Sequence, residues 1–188
     1  MRTIITSLIM TAVLTVLVGI IYPLAMTGIG QLLFPSQANG SLIVKEGKVI
    51  GSSLIGQSFA SAKFFHSRPS AAGAGYDGMA SGGSNLGPTS KALMDRLHHD
   101  ADSLRALYPE LKGDFPADMM TTSASGLDPD ISVATAMMQA PVVARANNLS
   151  VDSVNALVQR HIQGRDLGFL GEPHVNVLRL NLDLIEKR

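Results

Sequence analysis

Cysteine and tryptophan are both absent from this chain, and the remaining aromatics are three tyrosines and six phenylalanines. Without cysteine there is no disulfide scaffold, no iron–sulfur ligation and no thiol nucleophile. Without tryptophan, and with so few other rings, a sugar-stacking or choline-type aromatic site is disfavoured. Charge of either sign is also missing in excess. Lysine and arginine number 15 against 15 aspartates and glutamates, and the basic residues are not clustered, so a nucleic-acid partner is not suggested. From Thr3 to Phe34 there is no charged side chain at all, and Arg2 stands alone before that stretch.

This last absence sets the organisation of the chain. The densest part, Ile4 to Tyr22, is long enough at about 1.5 Å per residue to cross roughly 30 Å of hydrocarbon as a helix. A cleaved secretory signal has a shorter apolar region followed by a small-x-small site. Here the chain stays apolar to Phe34 and offers no Ala-x-Ala pattern. The spacing therefore predicts a retained single-span anchor over residues 1–34, followed by one soluble α+β domain over residues 35–188. Arg2 and the amino terminus favour the cytoplasmic side, which places the bulk of the chain outside. Along the helix Thr3, Ser7, Thr11, Thr15 and Gly19 recur every fourth residue. Small residues let helices approach closely in lipid, so Ser7, Thr11, Thr15 and Gly19 are the expected packing face for a partner helix. Pro23 is expected to end or kink the helix.

Beyond the anchor, Ser41 to Ile55 has the pattern of a hairpin turning at Lys45-Glu46-Gly47-Lys48. Residues 57–88 are rich in Gly, Ser and Ala and predict a long loop. Thr89 to Leu107 predicts a helix with Leu93, Leu97, Leu104 and Leu107 on one face, closed by Pro109. Asp118 to Thr122 is expected as a short strand. Asp128, followed by Pro129, has the form of an N-cap for a helix starting near Asp130, which Pro141 is expected to break or kink. Ser150 is the expected cap of a further helix that turns Val154, Leu157 and Val158 inward. The tail from Val175 to Ile185 has two readings: its alternation from Leu178 to Leu184 fits a strand, while Val177, Leu178, Asn181, Leu182 and Ile185 fit one face of a helix, the favoured reading. Residues 186–188 are expected as a solvated terminus.

The candidate chemical groups are weak by pattern. Ser81-Gly82-Gly83-Ser84-Asn85 offers amides and hydroxyls of the kind that cradle phosphate, but it lacks the Gly-Lys-Ser of a P-loop. A turn docking on a partner is the favoured reading. Arg68, held extended by Pro69, is suited to a forked pair with a carboxylate. Asp128 and Asp130 supply too few oxygens for a hard cation, and His98 and His99 have no ligand at metal spacing. No catalytic residue and no metal site is predicted. A serine hydrolase using the SGGSN or SASG loop with His66 as base would need a Gly-x-Ser-x-Gly elbow or an equivalent, which is missing. A stand-alone extracytoplasmic binding module is the other alternative, weakened by the few aromatics and scattered charges.

The chain carries six segments in order: PSQANGSL (Pro35–Leu42), SLIGQSF (Ser53–Phe59), FFHSRPS (Phe64–Ser70), SGGSNLG (Ser81–Gly87), SASGLDPDIS (Ser123–Ser132) and ARANNLS (Ala144–Ser150). Behind a membrane helix ending in YPL, they resemble the C subunit of the Kdp-type potassium-transporting ATPase over nearly the whole chain. Ala71–Met79 and Tyr108–Pro116 look free to vary. The resemblance implies a single-pass subunit of the bacterial inner membrane, amino terminus cytoplasmic, with a periplasmic domain and no catalytic site of its own. It implies two partners, a channel-like potassium-translocating subunit and a P-type ATPase subunit. It implies no tightly bound cofactor, with ATP a ligand of the complex. Two roles attach to the family: a catalytic chaperone that raises the pump subunit's affinity for ATP, and a structural clamp. Arg68, Ser81, Gly82, Gly83, Ser84 and Asn85 are the candidate partner or nucleotide contacts. A domain outside the membrane cannot reach cytoplasmic ATP directly, which favours the clamp.

Overall fold

The computed structural model describes residues 1–109 and 113–187 and divides into two compact units, Met1–Ile50 and Gly51–Arg188. Residues 110–112, within the Tyr108–Pro116 stretch, and residue 188 of the expected solvated terminus lie outside the described residues.

The first unit is dominated by one continuous helix over Arg2–Leu33, 32 residues long. It comprises α1 (Arg2–Val16), a π-helical turn (Leu17–Ile21) and α2 (Tyr22–Leu33). At about 1.5 Å per residue this is some 48 Å, more than the hydrocarbon thickness. Of the end or kink expected at Pro23, the end does not occur. Proline lacks the N–H that would reach the Gly19 carbonyl, and its ring crowds that carbonyl. The widened turn over Leu17–Ile21 sits where this defect must be absorbed, so the helix resumes with Pro23 in its first turn. None of its residues is buried within the chain. Hydroxyls inside it bond back to the helix: Thr6 Oγ1 donates to the Arg2 carbonyl (3.0 Å), Ser7 Oγ to Thr3 (2.8 Å) and Thr27 Oγ1 to Pro23 (2.8 Å).

A short α3 (Pro35–Ala38) follows at a corner. There the Asn39 Nδ2 donates to Gln31 Oε1 (3.1 Å) and to the Pro35 carbonyl (2.6 Å). The predicted hairpin is present as β1 (Leu42–Lys45) and β2 (Lys48–Ser52), and the division between units falls within β2. Glu46 (φ 51°) and Gly47 (φ 75°) form its two-residue turn, and two left-handed residues match the right-handed twist of the strands.

The second unit is built on a three-stranded antiparallel sheet, order β3-β5-β4, from Asp130–Ser132, His174–Asn176 and Ile162–Gln163. Ile131 and Ile162 both stand opposite Val175. Against this sheet lie α6 (Val133–Ala146), α7 (Val151–His161) and α8 (Val177–Glu186). Their buried residues, with Phe65 from the long loop, make the core: Ile131, Val143, Val154, Leu157, Val158, Val175, Leu180 and Leu184 among them. The helix α4 (Lys91–Leu107) buries only Ala101, with Leu93, Leu97 and Leu104 half-buried. The fold is α+β, as expected.

Four local expectations change. Asp118 to Thr122 is not a strand: Ala117–Met120 form a single helical turn, α5. Asp128 does not cap a helix. Residues 130–132 are extended because Ile131 (2% exposed) pairs across the sheet with Val175, and Ser132 takes over as cap, its Oγ accepting from Thr135 N–H at 3.0 Å. Of the break or kink expected at Pro141, the break does not occur, since the proline lies inside α6. The tail begins as β5 before turning helical, and its inward residues are Val177, Leu178, Leu180, Asn181 and Leu184, while Ile185 is exposed. The cap at Ser150 is where the sequence placed it, accepting from Ser153 N–H at 3.2 Å, and Val154, Leu157 and Val158 are buried.

Candidate functional site

Segments far apart in the sequence gather at one end of the second unit. From SLIGQSF, the Gly56 N–H donates to the Leu127 carbonyl (2.8 Å), and a Cβ at Gly56 would run into the Asp128 backbone. From FFHSRPS, Ser70 Oγ donates to the Gly126 carbonyl (2.6 Å) and accepts from Tyr76 N–H (2.7 Å). From SGGSN, the Gly82 N–H and the Ser81 hydroxyl both donate to the Ser125 carbonyl (2.8 and 3.0 Å). Ser84 Oγ accepts from Thr122 Oγ1 (3.3 Å). Gly83 lies close enough to Ala124 that a Cβ there would sit 3.0 Å from its carbonyl oxygen. Asn85 takes a left-handed conformation, φ 49°. The SGGSN loop is thus laid along the SASG loop, with two of its donors already engaged.

Arg68 fastens the same region. One terminal nitrogen meets Asp128 Oδ2 at 3.0 Å, and the other faces the Thr121 and Thr122 carbonyls and Thr121 Oγ1 at 3.4 Å each. The fork is therefore split between a carboxylate and backbone carbonyls instead of closing on one carboxylate. Asp128 also accepts from Asp130 N–H (3.0 Å), holding the turn before β3. Within Ala71–Met79 and Tyr108–Pro116, Ala72 and Tyr108 are buried and the Tyr76 hydroxyl donates to the Arg68 carbonyl.

Beside Arg68 a depression of about 280 Å³ is lined by Asp118, Asp128, Asp130, Glu172 and His174. Its carboxylates have internal duties. Asp118 accepts from Ser132 N–H (2.7 Å), Ser132 Oγ (3.0 Å) and Thr135 Oγ1 (2.7 Å), joining α5 to the start of α6. Asp130 accepts from Asn176 Nδ2 at 3.0 Å, and His174 Nε2 stands 3.9 Å from its other oxygen. Burial pushes the Asp130 carboxyl up, against the opposing pull of the Asn176 amide and of His174. Among the described residues no group of three or more His, Cys, Asp or Glu is arranged to hold a metal ion.

His66, the base of the hydrolase alternative, is engaged elsewhere. Its Nε2 faces the Ser61 carbonyl (3.2 Å) and its Nδ1 the Tyr108 hydroxyl (3.5 Å). Burial holds its imidazole below the usual histidine range, partly offset by the Ser61 bond. Burial likewise pushes the Tyr108 phenol up to about 12. The buried amides that organise this region, Gln139, Asn176 and Asn181, were not read as structural groups from the sequence. A signal was present for two of them: Gln139 is a lone amide in an apolar stretch, and Asn181 falls on the same helical face as Val177 and Leu178, where a polar group must find partners.

On the helix, Ser7, Thr11, Thr15 and Gly19 are all exposed. A Cβ at Gly19 would meet only Thr15 Cγ2, at 3.9 Å. The ridge is a shallow, open surface.

Comparison with known proteins bears on all of this. The family profile described as "KdpC: K+-transporting ATPase, c chain" matches residues 4–186. The chain is 55% identical to a protein of Bradyrhizobium diazoefficiens named potassium-transporting ATPase KdpC subunit, over 95% of this chain and 94% of that one. Proteins of the same name from Koribacter versatilis (53% identical, 97% and 94% covered) and Gemmatimonas aurantiaca (56%, 95% and 89%) are similar to the same extent.

Proposed function

The chain belongs to the KdpC family, the c chain of K+-transporting ATPases, and from that premise we propose that it clamps together the membrane subunits of a potassium-importing pump. It is an accessory subunit of that complex, not the catalytic one. Its partners are a channel-like subunit that carries the ion and a P-type subunit that hydrolyses ATP. The observation that carries the clamp reading is the helix over Arg2–Leu33, apolar and with no residue buried inside its own chain. Such a helix, bearing small residues every fourth position, is suited to lie against other membrane helices.

The second unit supports a docking role over a chemical one. Its Gly- and Ser-rich loops are zipped to each other through Gly82, Ser81 and Ser125. A phosphate cradle needs backbone amides that are free and convergent. Arg2 ahead of a charge-free run favours a cytoplasmic amino terminus and a periplasmic domain in the inner membrane. With that topology the domain steadies the ion-entry side of the complex, and any influence on ATP affinity passes through the partner subunits.

Purification of the tagged full-length chain from its own membranes in mild detergent tests the reading. Recovery with a channel-like protein and a P-type ATPase supports it, and recovery alone in monodisperse form refutes it. Protease added outside spheroplasts should digest the domain. Protection there, with digestion in inverted vesicles, reverses the topology and restores direct nucleotide contact.

A further inference from the structure

We propose that the wide turn at Leu17–Ile21 is a hydrogen-bond socket. Its acceptor is the main-chain carbonyl of Val18, and its occupant is a hydroxyl or amide side chain on a membrane helix of another subunit of the complex. The inference rests on the subunit reading above and gives that reading one contact of stated chemistry.

In a regular α-helix Val18 would receive the N–H of Tyr22. Here that N–H donates to the Leu17 carbonyl instead, one residue further back. In this wider register the N–H due to Val18 is that of residue 23, which is proline and has none. The Val18 carbonyl has therefore lost both of its main-chain donors. Its own helix offers no side chain in exchange. A hydroxyl reaches back three or four residues, and positions 21 and 22 are isoleucine and a tyrosine whose phenol stands at the far end of its ring. The hydroxyls of Thr6, Ser7 and Thr27 are spent on the Arg2, Thr3 and Pro23 carbonyls. Nor is the site covered: Val18 is 57% exposed, and Gly19 beside it has no side chain.

Depth and register decide the occupant. Arg2 and Gln31 are the nearest charged or amide side chains along the helix; at about 1.5 Å per residue they stand about 24 and about 20 Å from Val18. Lipid tails at that depth hold no donor, and an open main-chain group in hydrocarbon is costly unless a neighbouring helix satisfies it. A second copy of this chain enters the membrane the same way round. Its Thr15 lies about 4.5 Å nearer the amino end than Val18, and its side chain leans further that way, while helix carbonyls point toward the carboxyl end. Its Tyr22 phenol could reach the carbonyl only by laying the ring across Gly19. That ring would hold the helices apart and leave the small ridge at Thr15 and Gly19 unused. A short hydroxyl or amide on a different helix meets the carbonyl and lets the backbones approach.

Val18-Gly19 is the only Val-Gly pair in the chain, so carbonyl carbon-13 valine with nitrogen-15 glycine marks this one peptide group. The labelled full-length chain is added to membranes of a strain lacking its own copy and, separately, to lipid bilayers alone. Solid-state NMR then reads the Val18 carbonyl. The expected result is a downfield shift in the complex relative to lipid alone, the direction that hydrogen bonding gives. Pro23→Ala returns an N–H to the helix and should abolish most of that difference. A diazirine residue at Ile21 should cross-link to a potassium-pump subunit, in a membrane-helix peptide bearing a hydroxyl or an amide. An unshifted carbonyl in a chain that does assemble overturns the socket and leaves the subunit reading standing. A carbonyl already shifted in lipid alone overturns it in favour of water, or of a second copy if Tyr22→Phe removes the shift. Cross-linking to lipid or to a second copy alone overturns it too. If the wild type captures no partner from the membranes, the subunit reading fails and the socket with it. Should Pro23→Ala not assemble, the wild-type shift and the cross-link decide.

Discussion

The side-chain amide of Asn181 closes both backbone hydrogen bonds of Phe65, accepting from its N–H at 2.8 Å and donating to its carbonyl at 2.9 Å. Gln139 does the same for the next residue, taking the His66 N–H at 2.7 Å and giving to its carbonyl at 3.0 Å. Two buried amides on different helices thus stand in for a neighbouring strand. They allow a loop segment to carry Phe65 into the core, fully buried, with no main-chain group left unpaired.

Asn181→Ala should therefore destabilise more than an ordinary polar deletion. It strands one buried N–H and one buried carbonyl, and we expect a loss of about 2–4 kcal/mol. Urea unfolding of the full chain in detergent measures it. A loss under about 0.5 kcal/mol would mean that the loop finds other partners.

Gly126 and Gly82 should respond very unequally to alanine. Gly126 has φ 66°, and a Cβ there would lie 2.6 Å from the Ala72 nitrogen and 2.7 Å from the Gly82 oxygen, while around Gly82 the space is open. We expect Gly126→Ala to cost about 2 kcal/mol or more and Gly82→Ala under about 1 kcal/mol. Thermal melts of both variants check this, and equal effects would argue against the zipped loops.

For Arg68, the split fork predicts partial rescue. Lysine can reach Asp128 but cannot also serve the Thr121 and Thr122 carbonyls. Arg68→Ala should speed proteolytic cutting within residues 70–88, and Arg68→Lys should fall between it and wild type. The pair is partly exposed, 25% and 28%, so the effect on global stability should stay near 1–2 kcal/mol.

Acidification should weaken the fold through His66. Burial lowers its pKa in the folded state, so the unfolded chain takes up the proton first as pH falls through about 6.5. Stability from this residue is complete above that value and declines below it, toward the lowered folded value. His66→Gln should flatten the stability-versus-pH curve in that window. A curve parallel to wild type would show that the ring titrates normally.

Replacing Thr11, Thr15 and Gly19 together by leucine should leave the chain in the membrane but separate it from its complex. Bulk on the ridge keeps helices apart, and recovery of partners should fall roughly five-fold or more. Unchanged recovery would place the packing face elsewhere on the helix.

Local signals in the sequence located the elements whose causes lie within a few residues. The charge-free run made the long helix, Glu46-Gly47 made the hairpin turn, and Ser150 capped α7 by reaching an amide three residues away. Where a local signal met a distant partner, the partner prevailed. Asp128-Pro129 has the form of a helix start, yet pairing of Ile131 with Val175 kept the chain extended and passed the cap to Ser132.

The sequence by itself determined the long apolar helix, the α+β class and, through six ordered motifs, the family. Only the tertiary structure decided that SLIGQSF, FFHSRPS, SGGSN and SASGLDPDIS meet at one place, and that Asn181 and Gln139 hold the loop between them. Bonds such as Asn181 to Phe65 join residues 116 positions apart. No period or turn pattern encodes such a contact, because it forms only once the sheet and helices have brought both ends of it together.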